Sequence, residues 1–218
     1  MNKFRAIIFD IDGTLTSQNS WQAFTRDIGG SVAMHLAIYE DHVNGKIGLD
    51  ESKQKLLKMW KETGKAKKDH IEQIYNTWPI KPGAYTLVNW LKKKGYLVCL
   101  ITGSVGLYAK HVADKLGVNN YYSNAELYFD EEGNLIDFHY TADQADVKLK
   151  QFKEFCELNN LKEKECVPVG DSNNDIELFR HTENGILVDG IDVADELRQA
   201  AWKIISSLEE VIGLLESV

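Results

Sequence analysis

Asp10 and Asp12 close a short apolar run near the amino terminus, Ala6-Ile7-Ile8-Phe9. If extended backbone persists through them, both carboxylates project from the same side of a strand end. Like charges so close demand a cation or a proton between them, and Gly13 gives the chain a tight exit. A second acidic pair ends another apolar run, Val167-Pro168-Val169-Gly170-Asp171-Ser172-Asn173-Asn174-Asp175. Its two aspartates stand four apart, on one face of a helix that starts at Ser172 or Asn173. The helix N-terminus offsets part of their repulsion, and a hard divalent ion with oxygen ligands removes the rest. Magnesium fits best, because it keeps several waters and takes one or two carboxylates plus a substrate phosphate. A third run ends in Thr102-Gly103-Ser104, where a hydroxyl and the N–H groups opening the next helix would seat a phosphate. Taken singly, the first pair reads first as solvated aspartates in a loop, and the Thr-Gly-Ser turn as an ordinary helix entry. Together they put acid, hydroxyl and amide groups at the ends of three buried strands, where open α/β sheets bind ligands.

The elements that must carry these groups follow from the apolar runs. Strands are expected at Ala6–Phe9, Tyr96–Ile101, Cys166–Val169, Gly185–Val188 and, more weakly, Trp202–Ile205. Strands apolar on both faces and alternating with helices indicate a parallel sheet covered on both sides, hence an α/β, Rossmann-like three-layer core. Residues 126–129 and 135–138, joined by Asp130-Glu131-Glu132-Gly133-Asn134, read as a β-hairpin decorating the sheet. Helices are expected from Asp146 through Asn159, from Asn173, and over Leu208–Leu215.

About 80 residues separate the first two strands, several times what one crossover helix needs. Residues 16–81 read as almost wholly helical. Val32, Leu36, Tyr39 and Val43 share one apolar face, and Ile71, Ile74, Tyr75 and Trp78 another. Trp21, Phe24 and Ile28 suggest a further helix, and Leu49, Leu56, Leu57 and Trp60 a fourth. Pro79 and Pro82 break helicity and mark the return to the sheet, Pro82 opening a helix with Tyr85, Val88, Trp90 and Leu91. The organisation expected is a core of residues 1–15 and 82–218 with an inserted helical cap over 16–81.

Composition limits the function. Of 218 residues, 44% are hydrophobic and 27% charged, which suits a chain that folds by burial. Lys plus Arg total 25 against 33 Asp plus Glu, a net charge of −8 that repels nucleic-acid backbones and anionic membranes. No apolar run approaches the roughly 20 residues that span a bilayer, and the amino terminus carries no secretory pattern, so a cytoplasmic location is expected. Cys99, Cys156 and Cys166 read as reduced structural thiols, and the six histidines show no zinc-like spacing.

Asp10-Ile11-Asp12-Gly13-Thr14 resembles the DxDGT signature of the haloacid dehalogenase superfamily. Thr102 resembles its second motif and Gly170-Asp171-Ser172-Asn173-Asn174-Asp175 its fourth. Lys148 and Lys150 both qualify as the third, a lysine; the separation to Asp171 in phosphoserine-phosphatase-like members favours Lys148. The resemblance covers nearly the whole chain, the helical cap included. It implies that Asp10 attacks phosphorus to form an aspartyl-phosphate, and that Asp12 protonates the leaving oxygen and then activates water. It also implies magnesium held by the Asp10 carboxylate, the Asp12 carbonyl and Asp171, with Asp175 bound directly or through water. Lys148 would fix Asp10 and the phosphate, and Thr102, Gly103 and Ser104 would form the oxyanion cradle. Gly13, Asn174, Asn19 and Trp21 would complete the phosphate and substrate contacts.

The activity so implied is hydrolysis of a small phosphorylated metabolite. Dehalogenation needs no proton for a leaving alkoxide, so Asp12 favours phosphate. The alternatives are a phosphotransferase or mutase working through the same aspartyl-phosphate, and a non-catalytic phospho-acceptor or metabolite-binding module. Phosphoserine phosphatases carry an acid where this chain aligns Asn19, and a cap arginine where a gapless alignment puts Gln54. Both charged recognition groups for an amino-acid substrate are therefore expected to be missing. His35, Tyr39 and His42 share a face beside the apolar one, read either as a solvated or packing face or as ligand-facing; Trp60 and Trp78 read as the packing centre of the cap.

Overall fold

The computed structural model describes residues 3–141, 143–190 and 193–217. In chain order the elements begin with β1 (Ala6–Phe9), then α1 (Ser20–Asp27), α2 (Val32–Val43), α3 (Leu49–Glu62), α4 (Lys68–Thr77) and α5 (Pro82–Lys93). Next come β2 (Leu97–Val105), α6 (Gly106–Leu116), β3 (Asn120–Phe129), β4 (Leu135–Tyr140) and α7 (Gln144–Leu158). The chain ends with β5 (Cys166–Gly170), α8 (Ile176–Thr182), β6 (Ile186–Val188), α9 (Asp195–Ala200), β7 (Lys203–Ile205) and α10 (Glu210–Glu216). The strands form one seven-stranded sheet in the order β4-β3-β2-β1-β5-β6-β7, parallel except for the antiparallel β3–β4 pair.

Every residue of β1 and β5 is buried, as the unbroken apolar runs require of central parallel strands. Alternate side chains feed two cores. Ile7, Phe9, Leu100, Val167 and Val169 pack on one face with α5 and α6. Ala6, Ile8, Cys99, Ile101 and Cys166 pack on the other with Phe152, Phe155 and Leu178. All three cysteines are free and buried, Cys156 and Cys166 with sulfurs 3.7 Å apart. Among the described residues no helix is long and apolar enough to cross a membrane.

Helices α1 to α4 form a bundle between β1 and α5, its base closed where the Lys81 N–H donates to Leu15 O at 2.9 Å. Asn19 and Ser31 cap α1 and α2 through their side-chain oxygens. At the centre Trp60 is fully buried, with ring centroids 5.0 Å from both Phe24 and Phe138. Phe138 belongs to β4, so the bundle and the hairpin share a core. Backbone bonds join them too: Lys68 N–H to Gly133 O and Leu135 N–H to Ala66 O, both at 2.8 Å.

Three expectations are corrected. The hairpin is no appendage: β3 starts at Asn120 and pairs in parallel with β2 before turning back into β4. Its first half, Asn120-Tyr121-Tyr122-Ser123-Asn124, is too polar to read as a sheet strand because it lies next to the edge and is only partly covered. Secondly, β2 runs on through Thr102-Gly103-Ser104, with a register shift against β3 between Thr102 and Val105, and α6 opens only at Gly106. Thirdly, α2 turns over. It buries His35 and Ile38 and exposes the apolar stripe expected to face the core, with Leu36 at 38%, Tyr39 at 54% and Val43 at 63% exposure. Tyr85 is likewise exposed on α5.

Candidate active site

The site sits beyond the carboxyl ends of β1, β2 and β5. Asp10 follows β1 and is fixed by its N–H to Val169 O at 3.0 Å. Asp171 precedes a 3₁₀ turn over Asn173–Asp175 that Asp175 closes, so this segment starts tighter than an α-helix. Asp10, Asp171 and Asp175 each offer an oxygen, all within 4.8 Å of one another. The backbone makes room for them. Gly13 has φ +71°, and a Cβ there would fall 2.0 Å from Asp171 Oδ2; one on Gly170 would fall 2.2 Å from Asp175 Oδ2. Thr14 Oγ1 donates to Asp171 Oδ1 at 2.9 Å, and Lys81 Nζ to Gly13 O at 2.6 Å.

A buried ammonium faces these acids. Lys148, fully buried, lies 3.0 Å from Asp10 Oδ1 and donates to Asp175 Oδ1 and Asn174 Oδ1, both at 2.7 Å. Burial alone would lower its pKa, but Asp10 and Asp175 outweigh that and hold it above the usual lysine value. Lys150, the other lysine considered, is exposed. The excess of negative charge shows in the acids: burial, then Asp10, pushes Asp171 up to about 7. Burial pushes Asp175 up to about 6 against the pull of Lys148. Three hard oxygen donors around a single lysine, with two acids pushed towards holding protons, fit a hard divalent cation.

Asp12 brings no carboxylate to this triad; only its backbone carbonyl remains for the metal role expected of it. Its Oδ2 accepts the Ser20 N–H at 2.8 Å and the Ser20 hydroxyl at 2.5 Å, and the Ser20 and Ser104 hydroxyls are themselves 2.5 Å apart. Its Oδ1 is buried and unpartnered. Burial raises the Asp12 carboxyl to about 7, the Ser20 bonds opposing it. Ser20 is thus the close partner of Asp12, and the only signal for it in the sequence is its place one residue after a helix N-cap.

Thr102 is buried, with its Oγ1 accepting the Ser104 N–H at 3.2 Å. The cradle here is therefore an irregular strand rather than a helix N-terminus. Gly103 faces Gln144, whose Oε1 a Cβ would approach to 2.6 Å; Gln144, anchored by Asn124 Nδ2 at 2.8 Å, has no signature of its own in the sequence.

A cleft of about 670 Å³ opens over this floor, reaching Asp10, Asp12, Gly13, Thr102, Gly103, Ser104, Asp171 and Asn174. Asn19 and Trp21 line it, though the Asn19 oxygen is engaged in capping α1. His35, Tyr39 and His42 line it as well. His35 sits 2.7 Å from the Thr25 hydroxyl, and burial lowers its pKa. Gln54 is exposed and absent from the lining; Lys53, next to it, enters the cleft instead.

A family model of haloacid dehalogenase-like hydrolases matches residues 4–181. The chain belongs to this family. Among its relatives, the phosphoserine phosphatase of Methanocaldococcus jannaschii is 23% identical over 184 residues, 82% of each chain. That of Albidiferax ferrireducens is 26% identical over 220 residues, 98% of this chain and 88% of the relative. A solved structure described as a phospho-aspartyl intermediate analogue of phosphoserine phosphatase shares the fold, with TM-score 0.73 at 19% identity over 97% of this chain and 99% of that one. Within the haloacid dehalogenase-like fold, the acidic triad and Lys148 of this chain sit where the parallel strands end.

Proposed function

We propose that this hydrolase is a magnesium-dependent phosphatase acting on a small phosphorylated metabolite through an aspartyl-phosphate on Asp10. The observation that carries the reading is the pairing of a lysine-clamped carboxylate, Asp10, with a second acid, Asp12, that has a free oxygen and a pKa near neutrality. An Asp10 oxygen attacks phosphorus in line as the ester P–O bond breaks, and Asp12 delivers its proton to the departing alkoxide. Water then attacks the phosphoryl group, Asp12 takes its proton, and the bond to Asp10 breaks to release phosphate. Lys148 holds Asp10 in place, while Thr102, Gly103 and Ser104, with the Asn174 amide, surround the phosphoryl oxygens. Asp10, Asp171 and the Asp12 carbonyl, with Asp175 behind them, would hold magnesium, which supplies charge neutralisation between attacker and substrate. Ser20 keeps Asp12 aimed. Residues 16–81 act as the cap that covers the site, and residues 1–15 with 82–218 as the catalytic core.

The test is release of inorganic phosphate from a panel of phosphomonoesters, with magnesium and with chelator. Asp10→Asn should lower the rate by at least about 10⁴-fold and abolish acid-stable, hydroxylamine-labile labelling of the protein. A phosphorylated acceptor in place of free phosphate would reassign the chain to phosphotransfer. Stoichiometric labelling without turnover would make it a phospho-acceptor.

A further inference from the structure

Helix α2 leaves Leu36, Tyr39 and Val43 exposed while burying a histidine, an arrangement that costs free energy unless something covers the stripe. Leu36 and Tyr39 line the same cleft as the catalytic acids, so whatever covers them is continuous with the reacting phosphate. The facing wall is also aromatic. Trp21 packs on both Phe138 and Tyr140, with ring centroids 6.0 Å from Phe138 and 5.8 Å, edge-on, from Tyr140. Tyr39 of α2 and Tyr140 of β4 line the same cleft. A volume of about 670 Å³ falls in the usual range of about 300–1,000 Å³ for small-molecule sites and far exceeds what a phosphoryl group fills.

Charge narrows the occupant. Among the described lining residues Lys53 is the one Lys or Arg, and its ammonium is committed to Asp137 at 2.8 Å. Among the described lining residues there is no second Lys or Arg to meet a carboxylate, and Asp50 on the same helix would repel one. His42, His139 and Gln22 offer hydrogen bonds at the rim.

Resting on the phosphatase reading, we propose that the substrate is a phosphomonoester of an aromatic or heteroaromatic alcohol lacking a carboxylate, its ring held between Leu36 and Tyr39 of α2 and Phe138 and Tyr140 of β4. A flat ring covers Leu36 and Tyr39 and meets an aromatic side chain on both sides, whereas an amino-acid body would place its carboxylate near Asp50, with Lys53 already paired to Asp137.

The experiment compares kcat/KM for benzyl phosphate, ethyl phosphate and O-phosphoserine, all alkyl esters, using the full chain with magnesium. Benzyl phosphate is expected to exceed both others by about 10- to 200-fold. Tyr39→Ala, at an exposed position, should raise KM for benzyl phosphate about tenfold more than it raises KM for ethyl phosphate. O-phosphoserine turning over as well as benzyl phosphate, or Tyr39→Ala changing the oligomeric state but not this ratio, would overturn the inference and leave the phosphatase reading standing. No phosphate from any of the three, nor from acetyl phosphate, would sink the phosphatase reading and the inference with it.

Discussion

The floor and the roof of the cleft are built on opposite principles. On the floor each charged side chain is held by a neighbour: Lys148 by three oxygens, Asp171 by Thr14, Asp12 through one oxygen by Ser20 while its other stays free. On the roof, Leu36, Tyr39 and Val43 stand in the open, and Lys53, the one Lys or Arg among the described residues lining the cleft, lies 2.8 Å from Asp137 Oδ1. Charges need fixed geometry to lower a barrier, so the floor is anchored to strand ends. A roof of apolar side chains on a helix instead meets its partner by area and shape, and can change residue by residue without disturbing the chemistry.

That contrast can be tested. The largest expected effect is on the floor: Asp12→Asn should slow alcohol release in a single turnover, the step that needs the acid, by about 10²–10⁴-fold on alkyl phosphates, and much less on p-nitrophenyl phosphate, whose leaving group needs no proton. Equal losses on both esters would deny Asp12 its acid role. On the roof, Trp60→Ala removes a fully buried ring and should cost about 3–5 kcal/mol of stability by urea unfolding, while magnesium binding at the floor persists. Loss of both would show that floor and roof are one cooperative unit.

The smallest effect concerns protons. Asp171 and Asp175 are raised from 3.8 to about 7 and about 6. A cation must displace the protons they hold below those values, so affinity rises with pH through this window. Titration calorimetry should find magnesium binding about tenfold weaker at pH 6 than at pH 8, one proton being displaced per ion. A raised folded pKa also means that the metal-free fold gains stability from these groups below about 4 and loses it by about 7. A pH-independent affinity would separate the acidic cluster from the metal.

How legible each region is in the sequence follows from the same contrast. Asp10 and Asp171 can be placed because Ala6–Phe9 and Val167–Val169 are apolar at every position, a pattern that only doubly covered strands require. The acids then fall where those strands must end. On the roof the stripe of α2 is truly helical in period, but periodicity reports that a face exists and not what it faces; here Leu36 and Tyr39 face the cleft rather than the core. Ser20 and Gln144 act through contacts across 8 and 41 residues of chain, to Asp12 and Gly103, and carry no local mark. Thr102–Ser104 was readable as a cradle, but its bulged strand was not, because the bulge is set by pairing with Ser123 and Ala125 of a neighbour itself too polar to recognise.

The backbone bonds between residues 66–68 and 133–135 bear on how such a molecule can diversify. Helices transplanted from a relative by themselves would arrive with two severed amide links and a tryptophan without its Phe138 partner. The heritable module is therefore discontinuous: the inserted bundle and a hairpin some fifty residues beyond it in the chain have to be exchanged as a pair.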